Sequence, residues 1–264
     1  GMPGSGKTMV LAGLIKYAEN IKKPDIGGII IKTDNAKGYH YAGDIEDSIN
    51  RGYTMPPTPS ESVNYISAEL SYGRRKYPMS ILEISGEYYE RSYENGGIEN
   101  NIKNGISPKD YLKNNNKKVI FLIIDYSADI QEDVRVIKQR KVLDFFLGKM
   151  ESDGFLDNTV TIQIIVTKTD LMNLNQGTVV DQTTEFISTN YSSLIDRIKD
   201  YNKTYNINTA RKEKAIILPF SVGNFMLGKV FEYNDTDSAN MFASLINGLP
   251  PEKSKTNMMK YFNK

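Results

Sequence analysis

Eight residues at the amino end, Gly1-Met2-Pro3-Gly4-Ser5-Gly6-Lys7-Thr8, carry the first chemistry. They satisfy the pattern G-x-x-x-x-G-K-[ST] in full. Gly1, Gly4 and Gly6 permit backbone angles that turn successive N–H groups, that of Ser5 among them, into a nest for phosphate oxygens. The run "TMVLAGLIKYAEN" follows, with Leu11, Leu14, Ile15 and Ala18 at helical spacing. The nest therefore leads into a helix N-terminus, whose partial positive charge adds to the attraction for an anion. Lys7 would reach the β- and γ-phosphates of a nucleotide, and the Thr8 hydroxyl would ligate Mg²⁺.

Two further stretches supply the rest of such a site. Thr167-Lys168-Thr169-Asp170 closes the apolar run "TVTIQIIVT" and fits the [NT]-K-x-D element of guanine-nucleotide-binding proteins. An Asp170 carboxylate set edge-on to the base accepts hydrogen bonds from guanine N1–H and from the 2-amino group, while Lys168 lays its stem along the base plane. Adenine offers no such pair of donors, and a buried acceptor left unpaired costs about 1–3 kcal/mol. Glu83-Ile84-Ser85-Gly86 occupies the place of a D-x-x-G element. There Glu83 would hold Mg²⁺ through water, and the Gly86 N–H would contact the γ-phosphate. A competing reading takes "VIFLIID" as the metal-binding strand of an ATPase, with Asp125 as the Mg²⁺ ligand. The next residue is Tyr126, where many such ATPases carry a Glu that polarises water.

These residues need a frame. "GGIIIK" reads as a strand and "AGDIEDSINRGY" as a helix, and the prolines of "TMPPTPSES" make that stretch a loop. "SVNYISAEL" and "KYPMSILEIS" alternate and are joined so briefly that they must be antiparallel neighbours. "KVIFLIID", "TVTIQIIVT" and "KAIILPFS" are buried strands. Helices are expected near 131–150, over "TTEFISTNYSSLIDRIKDYN" as one unit, and over "SANMFASLING". Strands alternating with helices predict a three-layer α/β sandwich, mostly parallel, with one antiparallel hairpin strand. One domain over 1–250 is expected, with insertions at about 32–60 and 86–118 and a polar tail at 251–264. No strand-forming run stands ahead of Gly1, so the expectation is a sheet whose first strand, the one that should carry the loop, is missing.

Composition narrows the chemistry. There is no Cys and a single His, His40, in the polar stretch "KGYHYAGD" that reads as surface. Thiolate, zinc-knuckle and His-rich metal sites are excluded, and catalysis falls to carboxylates, Lys, Arg, hydroxyls, backbone amides and a hard cation. A formal net charge of +1 gives no bulk attraction for nucleic acid, and no apolar run is long enough to span a bilayer. The absence of Cys agrees with a reducing cytoplasm.

Taken together, "GMPGSGKT", "EISG" and "TKTD" resemble those of a P-loop GTPase of the Ras-like, translation-factor-related superfamily, over most of the chain. "PPT" before the hairpin and "SGE" after it are similar to bacterial Ras-like double-GTPase proteins. The resemblance implies a GTP- and GDP-binding fold with Mg²⁺, two switch regions, and an effector or activating protein as partner. Thr58 in "MPPTP" would be the switch Thr that closes on Mg²⁺ and the γ-phosphate, with Thr54 as the alternative. "PFSVGN" resembles the last base-contacting loop, through Ser221 and Val222. Two departures matter. Glu83 is one methylene longer than the usual Asp. Glu87 stands where a Gln commonly orients the attacking water, and a carboxylate cannot donate a hydrogen bond to phosphate. Slow turnover is expected, with Arg74, Arg75 and Arg91 as candidates to supply charge in cis. A catalytically weak nucleotide-binding scaffold is the second expectation.

Overall fold

The computed structural model describes residues 1–20, 27–59, 62–72, 75–98, 107–130, 134–173, 177–204 and 215–248. Its frame is two three-stranded sheets and a hairpin. Gly28–Ile31 (β1), Val63–Tyr72 (β2) and Arg75–Ile84 (β3) form an antiparallel sheet in that order. Lys118–Asp125 (β4), Thr159–Thr167 (β5) and Ile216–Phe220 (β6) form a parallel one. Gly223–Leu227 (β7) and Val230–Tyr233 (β8) make the hairpin.

This mixed α/β architecture corrects one expectation. The antiparallel part is a sheet of its own rather than one strand on a parallel sheet. The cause is β1, which pairs antiparallel with β2, Gly28 opposite Ser71 and Ile31 opposite Ala68. A four-residue apolar run carries no signal of direction, so its partner was not legible. Among the described residues β3 and β4 share no ladder. Gly1–Pro3 pass between them. A β-carbon built on Gly1 would lie 2.8 Å from the Ile123 carbonyl oxygen of β4, and one built on Gly86, just beyond β3, would strike the Pro3 backbone. The loop is thus wedged at the ends of two strands from different sheets.

Helices cover both faces. Lys7–Asn20 (α1), Ala36–Asn50 (α2) and Thr236–Gly248 (α9) lie on one side; Gly86–Glu94 (α3), Val134–Ser152 (α6), Val179–Asn190 (α7) and Ser192–Thr204 (α8) lie on the other. Pro108–Lys113 (α4) and Tyr126–Ile130 (α5) are short connectors. The alternation along β5 shows the layering: Ile162, Ile164 and Val166 join the core under α6 and α8, and Ile165 joins the core under α1 and α9. Each such side chain contributes about 1.5–3 kcal/mol on burial. The single helix expected over residues 183–202 is two. Tyr191 leaves the helical region at φ −130°, ψ 30° and buries its ring, where its hydroxyl accepts from Gln139 Nε2 at 2.8 Å. Residues 99–106 of the second expected insertion, and the tail from 249 onward, lie outside the described residues. No helix among the described residues is long and apolar enough to cross a membrane.

Candidate functional site

At the amino-terminal loop, Gly4 and Gly6 take φ values of 71° and 77°, which only glycine adopts without strain. Ser5 N–H donates to the Met2 carbonyl at 3.3 Å, and Val10 N–H makes a helical bond to Gly6 at 2.9 Å. Ser5 is fully buried, and its carbonyl lies 2.8 Å from Thr167 Oγ1, which is also 3.1 Å from the Ile124 carbonyl. One hydroxyl therefore ties the loop to the ends of β4 and β5. The Lys7 ammonium folds back to the Met2 carbonyl at 2.8 Å. Burial lowers its pKa below the ordinary lysine value, against the opposing pull of Glu83, Glu87 and Glu90.

Behind the loop stands a cluster of oxygens. The β2–β3 register puts Asn64 opposite Glu83 and delivers the Glu83 carboxylate, almost wholly buried, beside α1. Thr8 Oγ1 donates to Glu83 Oε1 at 2.6 Å. With that hydrogen spent, the Thr58 hydroxyl, 3.1 Å from Thr8 Oγ1, is left to donate to it; Thr58 is also 3.5 Å from Glu83 Oε1. On the other oxygen, Oε2, Tyr41 O–H donates a short hydrogen bond and Asn64 Nδ2 a long one at 3.4 Å. Burial and the Glu83 charge push the Tyr41 phenol above its ordinary range. Of the two threonines weighed for this place, Thr58 is the one whose hydroxyl reaches Thr8. Two hydroxyls and one carboxylate are hard donors, few in number, and fit Mg²⁺, which keeps several waters and shares its shell with substrate phosphates. Among the described residues no group of three or more His, Asp or Glu side chains could hold a metal unaided.

At the far end of the cleft, β5 stops at Thr167 and Lys168 enters the left-handed region at φ 60°. A lysine held there costs about 1–2 kcal/mol, and the cost goes with a sharp turn into the 3₁₀ segment Thr169–Leu171. Lys168 Nζ donates to Asp125 Oδ2 at 2.6 Å and to Ser127 Oγ at 3.0 Å. Asp125 Oδ1 accepts from the N–H and hydroxyl of Ser127, at 2.9 and 2.7 Å, and the Asp125 N–H is held by Gln139 Oε1 at 3.0 Å. Asp125 is thus committed to Lys168 and α5, and the carboxylate that meets Thr8 is Glu83. Asp170 is exposed, and its carboxylate has no hydrogen bond or ion pair with a described residue. Ser221 N–H donates to Asp237 Oδ2 at 2.8 Å, and the Ser221 hydroxyl donates to the Gly223 carbonyl at 2.9 Å, fixing the turn into β7. Burial raises the Asp237 pKa, and the Ser221 N–H pulls it back.

A cleft of roughly 670 Å³ joins the two ends. Gly4, Gly6, Lys7 and Thr8 line one end with Thr58, Gly86 and Glu87; Thr167, Lys168 and Asp170 line the other with Ser221 and Val222. Gly1 and Ser5, of the same loop, are buried and are not among the residues that line the cleft, and Glu83 stands behind Thr8. Glu87 sits in the first turn of α3 with its Oε2 buried and without a hydrogen-bond partner among the described residues. Of the arginines weighed for a role in cis, the two described ones do not line the cleft. Arg75 opens β3, eight residues and about 27 Å along the strand from Glu83. Arg91 does not line the cleft, and Arg74 lies outside the described residues. His40 is exposed on α2. Comparison with protein-family models, with curated proteins and with solved structures finds no match to this chain.

Sequence reasoning missed Tyr41, Asn64, Gln139 and Asp237, all of which reach the site from other elements. It also missed the β7–β8 hairpin. Its main chain grips the start of the Thr58 loop, with Thr54 N–H donating to Lys229 O at 3.0 Å and Phe231 N–H to Gly52 O at 2.9 Å. Gly228 at φ 58° in "LGKV" was the one available turn signal.

Proposed function

We propose that the protein binds guanine nucleotides with Mg²⁺ and hydrolyses GTP slowly, as a molecular switch. The observation that carries this reading is the convergence of four distant sequence segments on one cleft, with Thr8, Glu83 and Thr58 at one end and, at the other, Asp170, which has no partner among the described residues. The loop amides and Lys7 hold the polyphosphate. Thr8, Thr58 and Glu83 hold the metal, which when bound neutralises charge developing on the β- and γ-phosphate oxygens. Asp170 reads the guanine edge, Lys168 is held along the base by Asp125, and Ser221 and Val222 close the base end. In hydrolysis a water oxygen forms a bond to the γ-phosphorus as the bond to the β,γ-bridging oxygen breaks. The commitment of Asp125 to Lys168 disfavours the ATPase reading. Equilibrium binding of fluorescent GDP, competed by GTP and by ATP with Mg²⁺ present, tests the proposal. Equal competition by ATP overturns it.

A second reading, a nucleotide-binding scaffold of little catalytic power, is favoured by Glu87. Its carboxylate lies within electrostatic reach of Lys7 beside Glu83 and can only accept from water. Glu87→Gln is expected to raise single-turnover GTP hydrolysis about tenfold, a barrier change of about 1.4 kcal/mol, by removing a negative charge near the γ-phosphate and adding a donor. An unchanged rate with GDP and GTP still bound favours the scaffold. The stimulating partner of a switch of this kind would be a protein that inserts an arginine, since neither described candidate in cis lines the cleft.

A further inference from the structure

We propose that Tyr41 is a positioning residue for Glu83: its hydroxyl fixes one carboxylate oxygen so that the other faces Thr8 and the metal. The proposal rests on the Mg²⁺–nucleotide reading above and adds a residue that no part of that reading requires.

The need arises from the length of the glutamate. Its extra methylene adds a rotatable bond, so a carboxylate free to swing would not hold a fixed place beside Thr8. The structure divides its two oxygens between two sets of partners. Tyr41 from α2 and Asn64 from β2 donate to Oε2, while Thr8 and Thr58 approach Oε1. The first pair belongs to the scaffold; the second belongs to the phosphate loop and the switch loop. Oε2 is satisfied without metal or nucleotide, and Oε1 is the oxygen left to respond to them.

Tyr41 reaches this place because of how α2 docks. Asn35 caps the helix, accepting from Gly38 N–H at 3.2 Å and donating through Nδ2 to the Tyr65 carbonyl of β2. Gly38 is buried against that strand, and a β-carbon there would strike the Tyr65 carbonyl. The missing side chain lets α2 lie close to β2. Tyr41, three residues on and therefore on the same face, projects past β2 to Glu83 on the neighbouring strand. Its ring packs against the core of α1 and α2, so the hydroxyl is presented on a supported side chain.

The test is a Mg²⁺ titration of the dissociation rate of fluorescent GDP from the full chain. Tyr41→Phe is expected to raise the Mg²⁺ midpoint about 10–100-fold, the usual cost of losing a residue that orients a metal ligand. The dissociation rate in excess chelator is expected to stay at the wild-type value, and the melting temperature of the nucleotide-free protein to fall by only a few degrees for the lost hydrogen bond, which separates positioning from general damage. In a Glu83→Asp background the shorter side chain cannot span Tyr41 and Thr8 together, so adding Tyr41→Phe is expected to move the midpoint by less than twofold. Asn64→Ala, acting on the same oxygen through a longer bond, is expected to shift the midpoint in the same direction by a smaller factor and supports the assignment if Tyr41→Phe does not fold. An unshifted midpoint in Tyr41→Phe, or a full additional shift on Glu83→Asp, overturns the proposal and leaves the nucleotide reading standing. Wild-type protein that retains GDP equally with and without Mg²⁺ overturns both.

Discussion

Lys7→Met is expected to give a folded protein that no longer retains GDP or GTP. In the structure the ammonium is half-buried, spends one hydrogen on the Met2 carbonyl, and lines the cleft end together with Gly4 and Gly6. A hydrogen bond to a charged group contributes about 1.5–3 kcal/mol. Two such bonds, to β- and γ-phosphate oxygens, amount to about 3–6 kcal/mol, or a loss of roughly 10²–10⁴ in affinity. The fold should not suffer in proportion, because the substitution removes a charge that burial disfavours. Circular dichroism and thermal melting would show a protein within a few degrees of wild type. The same residue sets an alkaline limit on binding. Burial holds the pKa of Lys7 in the free protein below the ordinary value of 10.5, and a bound polyphosphate raises it. Between those two values the complex carries more protons than the free protein, so affinity falls as pH rises. Inorganic triphosphate as the competing ligand isolates this effect from ionisation of the base. Lys7→Arg, which keeps its charge, should lack the fall.

The parts of the molecule that were legible in the sequence are those whose signal is local. "GMPGSGKT" announces glycine angles and a helix start in eight residues, and α1 begins at Lys7. The short joint in "SYGRRKY" forces the β2–β3 hairpin, whose register sets Glu83 opposite Asn64. "TVTIQIIVT" is apolar on both faces because β5 is covered on both sides. What could not be read depends on contacts between distant segments. Tyr41 lies in a polar helix and looks like any surface tyrosine until Gly38 brings α2 against β2. Tyr191 breaks a helix that propensity would continue, because its ring fills the core and its hydroxyl completes a bond to Gln139. The β7–β8 hairpin is marked by one glycine, and its value lies in a grip on residues 52–54 that no local pattern encodes. Asp125 is the instructive ambiguity. A strand ending in aspartate fits a metal site, and only the 2.6 Å pair with Lys168 shows that this carboxylate is committed to a side chain of the neighbouring strand end.

Asp170→Asn is expected to turn a guanine site into a xanthine site. The carboxylate presents acceptors only, which suits the N1–H and 2-amino donors of guanine. The structure leaves it exposed in the cleft and without a partner among the described residues, in reach of a ligand rather than committed to the fold. An asparagine amide presents one acceptor and one donor group. The acceptor can still meet N1–H, but the amide nitrogen now faces the 2-amino group, donor against donor. Xanthine carries an oxygen at that position and restores the match. One mismatched polar pair costs about 1–3 kcal/mol, so the affinity for GDP should fall roughly 10–100-fold and that for xanthosine diphosphate should rise by a similar factor. The substitution is nearly isosteric at an exposed position, so the Mg²⁺ midpoint and the melting temperature should not move. Competition between the two nucleoside diphosphates on wild-type and variant protein gives the answer in one measurement. A reversal of preference supports base recognition by Asp170. An unchanged preference removes Asp170 from the site, and because one ligand must span the two ends of the cleft, it would also require a different ligand at the end that Lys168 and Ser221 line.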